Sequence, residues 1–135
     1  MLHPSWNTVR VFLHVLGAAV WVGGQLTVAG LVPGLRARDP DLPGLVARRF
    51  SKIAWSGFAL LLATGIWNLF AIDVGSTSTA FQVTLAVKLG LVALTGISAA
   101  AHSFARSKVG LAIWGAVGFA TGLAALFTGI LLHGN

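Results

Sequence analysis

The chain has 135 residues, of which 56% are hydrophobic and only 9% are charged. Soluble domains usually carry about 25% charged residues, so this composition excludes a soluble globular domain. The formal net charge of +6 does not indicate nucleic-acid binding, because the basic residues lie beside the ends of apolar segments and form no aromatic-interleaved face. Cysteine is absent, which excludes disulfides, thiol catalysis and thiolate metal ligands.

Four apolar segments follow one another along the chain, each close to the about 20 residues that a helix needs to cross a bilayer. They lack the polar and apolar alternation of a membrane β-barrel. Helices are therefore expected, because backbone groups in lipid must be hydrogen-bonded within their own segment. We predict an all-α fold, a single-domain transmembrane four-helix bundle with up-down topology over residues 1–135. The predicted spans are about residues 9–32, 50–70, 81–101 and 109–133.

The first span is predicted to end near Pro33 and Gly34. A cleaved signal peptide is the alternative interpretation of such an N-terminal apolar segment. This segment is too long for one, contains His14 and Gln25, and precedes no clear small-residue cleavage site. It is therefore interpreted as the first membrane helix.

Positive charges predict the orientation. The loop after the first span contains four arginines, and the loop before the fourth span contains Arg106 and Lys108. The intervening loop contains only Asp73 as a charged residue. Positively charged loops stay in the cytoplasm, so both termini are predicted on the outer side of the cell's inner (plasma) membrane. Arg10 is the one charge that opposes this pattern.

The fourth span carries small residues at alternating steps of three and four, which form one smooth helix face for close packing. They are Gly115, Gly118, Gly122, Ala125 and Gly129. Packing within the chain is the simplest interpretation. A flat cofactor, or a second copy in a homodimer through glycine-lined helix faces, could use the same face.

Polar side chains inside the spans mark candidate sites, because a central lysine costs roughly 2.5–3.5 kcal/mol of insertion free energy. From the helical rise, His14 lies roughly 8 Å and Lys88 roughly 10 Å below the predicted outer edge. Asn68 and His133 lie near the same edge. His102 lies at the cytoplasmic edge, where an interfacial role is the simpler interpretation.

His14, Gly17, Trp21 and Gly24 recur at helical spacing and therefore share one face of the first helix. A histidine beside such small residues can ligate a haem iron while the small residues leave room for the macrocycle. The alternative is a buried histidine that donates to the next helix. Lys88 could balance a porphyrin propionate, act as a ligand, or donate to carbonyl groups.

Several short motifs resemble the copper-resistance D (CopD) family and are similar to HemJ, the membrane protoporphyrinogen oxidase of the same superfamily. The matches cover about the first three predicted helices. They are Phe12-Leu13-His14, the stretch from Ala18 to Gly24, Arg49-Phe50-Ser51, Thr64-Gly65 with Asn68, and Val87-Lys88-Leu89.

The HemJ resemblance implies a b-type haem, with His14 and Lys88 at the matching positions. The CopD resemblance implies movement of copper across the inner membrane. The chain departs from the HemJ pattern in having no tyrosine. It departs from the CopD pattern at the end of the third helix, which reads Ala101-His102-Ser103-Phe104 where that family usually has Asn-Arg.

We therefore predict a small haem b-binding membrane protein that transfers electrons or senses redox state or small gases, with haem-dependent oxidoreductase activity left open. The candidate cofactor-binding residues are His14, Lys88, Trp21, Gly17, Gly24 and Asn68. The alternative is copper transport or copper resistance, with His14 and His133 as metal ligands, although the chain lacks the internal thiolates and thioethers that Cu(I) prefers. A third hypothesis is a structural partner of a larger membrane complex. Besides haem and a second copy, the lipid bilayer is the predicted partner.

Overall fold

The computed structural model describes residues 3–134, and this part of the chain is helical, without β-strands. Large apolar side chains stay exposed along the helices, such as Phe12, Ile66, Ile97 and Phe127, as expected where the surroundings are lipid. The predicted all-α fold with membrane-length helices is confirmed. The four helices long and apolar enough to cross a membrane are Trp6–Arg38, Leu42–Phe70, Thr79–Phe104 and Lys108–Gly134.

The first of these helices has three parts: α1 (Trp6–Ala18), a π-helical turn (Ala19–Gly23) and α2 (Gly24–Arg38). Ser5 caps its start, because Ser5 Oγ accepts from the Thr8 amide at 3.2 Å while Thr8 Oγ1 accepts from the Ser5 amide at 3.3 Å. This reciprocal pair satisfies two amide groups at the helix end.

The helix continues through Pro33, near which the apolar span is predicted to end, and it reaches Arg38. A proline inside a helix removes one backbone donor and crowds one carbonyl. Membrane helices tolerate that loss when the surroundings satisfy the freed carbonyl. The helix thus extends past the predicted span, and the end of the span itself stays a prediction.

The remaining elements are α3 (Leu42–Phe70), a 3₁₀ turn (Val74–Ser76), α4 (Thr79–Phe104) and α5 (Lys108–Gly134). Helices α4 and α5 extend slightly beyond the predicted spans, and serines in the polar loops cap their starts. Ser78 Oγ accepts from the Phe81 amide at 3.2 Å, and Ser107 Oγ accepts from the Gly110 amide at 3.0 Å.

The chain divides into two compact units, and the boundary falls between Ile72 and Asp73. In the first unit, α1, the π turn and α2 pack against α3, whereas the second unit is the pair of α4 and α5. That all four spans form one domain and one bundle stays a prediction.

An aromatic cluster forms the core of the first unit. Trp21, in the π turn, is only 3% exposed. Its ring centroid lies 5.5 Å from that of Trp55 and 4.4 Å from that of Phe58, both on α3. Edge and tilted contacts of this kind add to the stabilisation that comes from burial alone.

The small-residue stripe of α5 faces α4 in the second unit. Gly118, Gly122 and Ala125 are buried, and Thr95 Oγ1 donates to the Gly118 carbonyl at 2.7 Å. A Cβ added at Gly118 would lie 3.4 Å from the Cβ of Ser98. The stripe thus allows the close packing within the chain that the sequence indicated.

Candidate functional site

The most specific polar contact in the first unit joins α1 to α3 in the apolar interior. His14 is half-buried on α1, and its Nδ1 lies 2.9 Å from Oγ1 of Thr64 on α3. Thr64 is only 3% exposed. The same Thr64 oxygen lies 2.7 Å from the Leu60 carbonyl and 3.3 Å from the Leu61 carbonyl.

These distances favour one tautomer of His14. A threonine hydroxyl has a single hydrogen, and a carbonyl oxygen can only accept. Thr64 therefore donates to Leu60, one turn back in its own helix, and accepts from the Nδ1–H group of His14. A neutral His14 then carries its lone pair on Nε2. Metal-ligating histidines are commonly fixed in this way, with the other ring nitrogen donating to a neighbouring acceptor.

Gly17, Trp21 and Gly24 share a face as predicted, but α3 covers that face. A Cβ added at Gly17 would lie 3.0 Å from the Gly57 carbonyl oxygen, and the ring of Phe50 lies against Gly24. Small residues permit this close approach of two helix backbones. The expectation that they leave an open groove for a macrocycle is therefore corrected: within the first unit, a porphyrin reaches this face only if α3 moves away.

Asn68 lies on α3 four residues after Thr64, and the two are on the same helix face. The Asn68 side chain is half-buried. The backbone carbonyl of Asn68 accepts from the Ala71 amide at 3.2 Å, where the helix ends. Its role as a cofactor contact stays a prediction.

The other two predicted site residues belong to the second unit. Lys88 is half-buried on α4, and its Nζ would lie 3.1 Å from a Cβ added at Gly129 of α5. His133 is exposed in the last turn of α5. Joint binding of one cofactor by His14 and Lys88 stays a prediction.

His102 joins the end of α4 to the start of α5. Its Nδ1 lies 2.8 Å from the Leu111 carbonyl, so this nitrogen carries the proton and donates. A Cβ added at Gly115 would lie 3.3 Å from the same nitrogen. These contacts support a structural role for His102 at the helix connection.

Within residues 3–134, no three His, Cys, Asp or Glu side chains are grouped closely enough to hold a metal ion. A metal at His14 would therefore take its other ligands from groups such as water, a porphyrin, or hydroxyl and carbonyl oxygens. The geometry offers one oriented imidazole in an apolar helix pair, which is suited to a transient metal contact or to an axial ligand.

Sequence reasoning did not identify Thr64 as a site residue, although it noted the Thr64-Gly65 pair as a motif. A threonine in a membrane helix ordinarily donates to the carbonyl one turn back, so its sequence context carries no sign of a histidine partner. Nor did it identify the cleft beside Arg10, which is lined by residues from both ends of the first unit's sequence.

Comparison with known proteins finds a similarity to the copper transport protein CutJ of Bacillus subtilis (strain 168). The two are 35% identical over 104 residues, which covers 72% of this chain but only 19% of the length of CutJ. No protein-family profile matches the chain, and no solved structure matches it. The similarity gives partial support to the copper-related resemblance, whereas a relation to HemJ is not shown. The chain is thus a helical protein with four membrane-length helices that resembles one part of a copper transport protein.

Proposed function

We propose that this protein takes part in copper handling in the cell's inner membrane, with both termini outside and His14 as a copper contact within the first helix pair. The similarity to CutJ and the CopD-like motifs support the copper assignment. The observation that carries the site is the 2.9 Å contact between His14 Nδ1 and Thr64 Oγ1, which orients the imidazole ring.

A single imidazole suits copper as a cargo. Imidazole nitrogen is a good copper ligand, but one such ligand binds too weakly to hold the ion permanently. A transport pathway needs binding that is favourable enough for the ion to enter and weak enough for it to leave. The lack of a three-ligand group within the described part of the chain is compatible with such a step.

Haem b binding is the second candidate, and the same oriented imidazole favours it. A porphyrin supplies the equatorial nitrogen ligands itself, so one histidine is enough to hold the iron. When bound, haem would supply one-electron chemistry or gas binding. His14 would be its axial ligand and Thr64 would orient the ring. Because α3 covers the Gly17 face, the porphyrin would have to approach Nε2 from another side.

The two candidates are separated by an absorption spectrum and a copper-binding measurement on the detergent-purified protein. The copper hypothesis predicts a colourless preparation that binds copper in equilibrium dialysis and loses that binding in His14→Ala. The matched control is His102→Gln, at a histidine whose Nδ1 donates to the Leu111 carbonyl, and this variant should bind copper like the unchanged protein.

A Soret band and a reduced α-band at near one haem per chain or per dimer, lost in His14→Ala, would replace the copper hypothesis by the haem hypothesis. A protein that stays colourless when haem is supplied, and whose copper binding is the same in both histidine variants, would contradict both uses of His14. A structural role in a larger complex would then be the remaining hypothesis.

A further inference from the structure

A cleft with mixed polar and apolar walls lies at one end of the first helix pair, about one helical turn from His14 along α1. Its volume is about 260 Å³, and it is lined by Trp6, Asn7 and Arg10 of α1 and by Trp67 and Ala71 at the end of α3. Trp6 is 79% exposed and Trp67 is 40% exposed. The cleft thus combines one cationic side chain with two accessible indole rings.

The Arg10 guanidinium has hydrogen-bonding capacity to spare. Its Nη2 donates to Asn7 Oδ1 at 2.5 Å. Its Nε is buried and, among residues 3–134, has no acceptor. A guanidinium has several N–H donors in a planar fork that matches the paired oxygens of a carboxylate or a phosphate. Leaving a buried donor of this kind unpaired is costly, and an acceptor from outside the chain would pair it once the Arg10 side chain rotates towards the cleft.

Within the first unit no carboxylate lies at this end, although Asp73, the first residue of the second unit, follows the cleft residue Ala71 by two positions. The acidic residues of the first unit are Asp39 and Asp41, which lie in the connection between α2 and α3, at the opposite end of the helix pair. The positive charge of Arg10 is therefore not balanced by an acidic residue of its own unit.

We propose that this cleft is a binding site for a phosphate oxyanion, and specifically for the phosphate of a membrane lipid headgroup. The cleft lies where α1 begins and α3 ends, at the edge of the predicted membrane spans. Tryptophan is enriched at this depth, where its ring contacts the acyl boundary and its N–H contacts the headgroups. The guanidinium of Arg10 binds the phosphate, and the rings of Trp6 and Trp67 cover the glycerol and upper acyl carbons.

A lipid phosphate at this site explains the position of Arg10, which the rule for membrane orientation does not explain. Positive charges are expected in the cytoplasmic loops, and Arg10 lies at the other end of the first helix. A lipid phosphate held by Arg10 would offset that charge and fix the depth of α1 in the bilayer. The proposal is independent of the function proposed for His14.

The test is native mass spectrometry of the whole protein in detergent, titrated with dioleoylphosphatidylglycerol in one arm and with inorganic phosphate in the other. The variants are Arg10→Gln, Arg10→Lys and the matched control Arg38→Gln, which removes an exposed arginine at the far end of the same helix. Circular dichroism of each variant confirms that the helices are formed.

We expect one saturable phosphatidylglycerol adduct, with affinity lowered about ten-fold or more by Arg10→Gln and unchanged by Arg38→Gln, since a charge-assisted bond is lost only in the first. Arg10→Lys should lie between them, because lysine keeps the charge without the planar fork. Displacement of the lipid by inorganic phosphate at comparable concentration would support the oxyanion site with a soluble ligand as its source. No saturable adduct on the unchanged protein, or equal losses in Arg10→Gln and Arg38→Gln, would overturn the proposal.

Discussion

Replacing Thr64 by valine tests the central contact of the candidate site. Valine has nearly the shape of threonine but lacks the hydroxyl, so the substitution removes the acceptor of His14 Nδ1 without opening a cavity. The Leu60 and Leu61 carbonyls lose only a side-chain donor and keep their places in the helix. The main consequence is an Nδ1–H group without its acceptor on α3.

The size of the effect follows from this one lost bond. Hydrogen bonds between membrane helices contribute about 0.6 kcal/mol on average and up to about 1.7 kcal/mol. An unpaired buried donor costs about 1–3 kcal/mol. This cost overlaps with the contribution of the hydrogen bond, so the two values are not added. We therefore expect Thr64→Val to lower the free energy of unfolding by about 1–2 kcal/mol. Removing the partner that orients a metal-binding histidine should also weaken binding at His14 by about 10–100-fold.

The assay follows helicity by circular dichroism during denaturation by SDS in mixed micelles, together with copper or haem titration of each variant. The matched control is Thr84→Val, because Thr84 Oγ1 donates only to the Ala80 carbonyl of its own helix at 2.8 Å. Thr64→Ser keeps the hydroxyl and should restore ligand binding. In ¹⁵N-labelled protein, the His14 signals should report the Nδ1–H tautomer in the unchanged chain and a mixture of tautomers in Thr64→Val.

The reasoning would be refuted if Thr64→Val matched Thr84→Val in stability and in ligand affinity. It would also be refuted if the unchanged protein showed the Nε2–H tautomer of His14, because Thr64 would then donate to the ring. Either result would remove the argument that Nε2 is the ligating nitrogen.

Four further substitutions test the packing by the same denaturation assay. Gly17→Ala should lower the free energy of unfolding by about 1 kcal/mol, because the new Cβ meets backbone atoms of α3 and overpacking outweighs the gain in helix propensity. Gly30→Ala should raise the free energy of unfolding by about 0.5–1 kcal/mol, because the new Cβ has no atom within 4 Å. Gly129→Ala should change it by less than about 0.5 kcal/mol, because the new Cβ meets only the flexible end of Lys88; a loss as large as that of Gly17→Ala would contradict this contrast. Ser98→Ala should raise it by about 1 kcal/mol, because Ser98 Oγ is buried without a partner in the described chain and unpaired hydroxyls are costly to bury.

Some parts of the fold were accessible from sequence because their causes are local. A run of apolar residues long enough to cross a bilayer must be helical when no water is present to satisfy its backbone. The small-residue face of α5 was likewise visible, since residues three and four apart lie on one side of any helix. Neither inference requires knowledge of a neighbouring helix.

Only one of the two residues that form the candidate site could be predicted from the sequence. His14 was identified because a histidine in an apolar span is costly and therefore informative. Its partner Thr64 is 50 residues away in the chain. The relative rotation and depth of α1 and α3 decide which side chain on α3 meets His14, and packing between the helices sets both.

The amino-acid sequence by itself determined four apolar helices, the positions of their polar residues and the small faces that permit close packing. The tertiary structure decided what those faces contact. It placed α3 on Gly17 and Gly24, where the pattern alone allowed a groove for a cofactor. It also placed Arg10 in the wall of a cleft. The physical reason is that lipid acts on each helix separately through its composition, whereas contacts between helices depend on the shapes of two surfaces far apart in the chain.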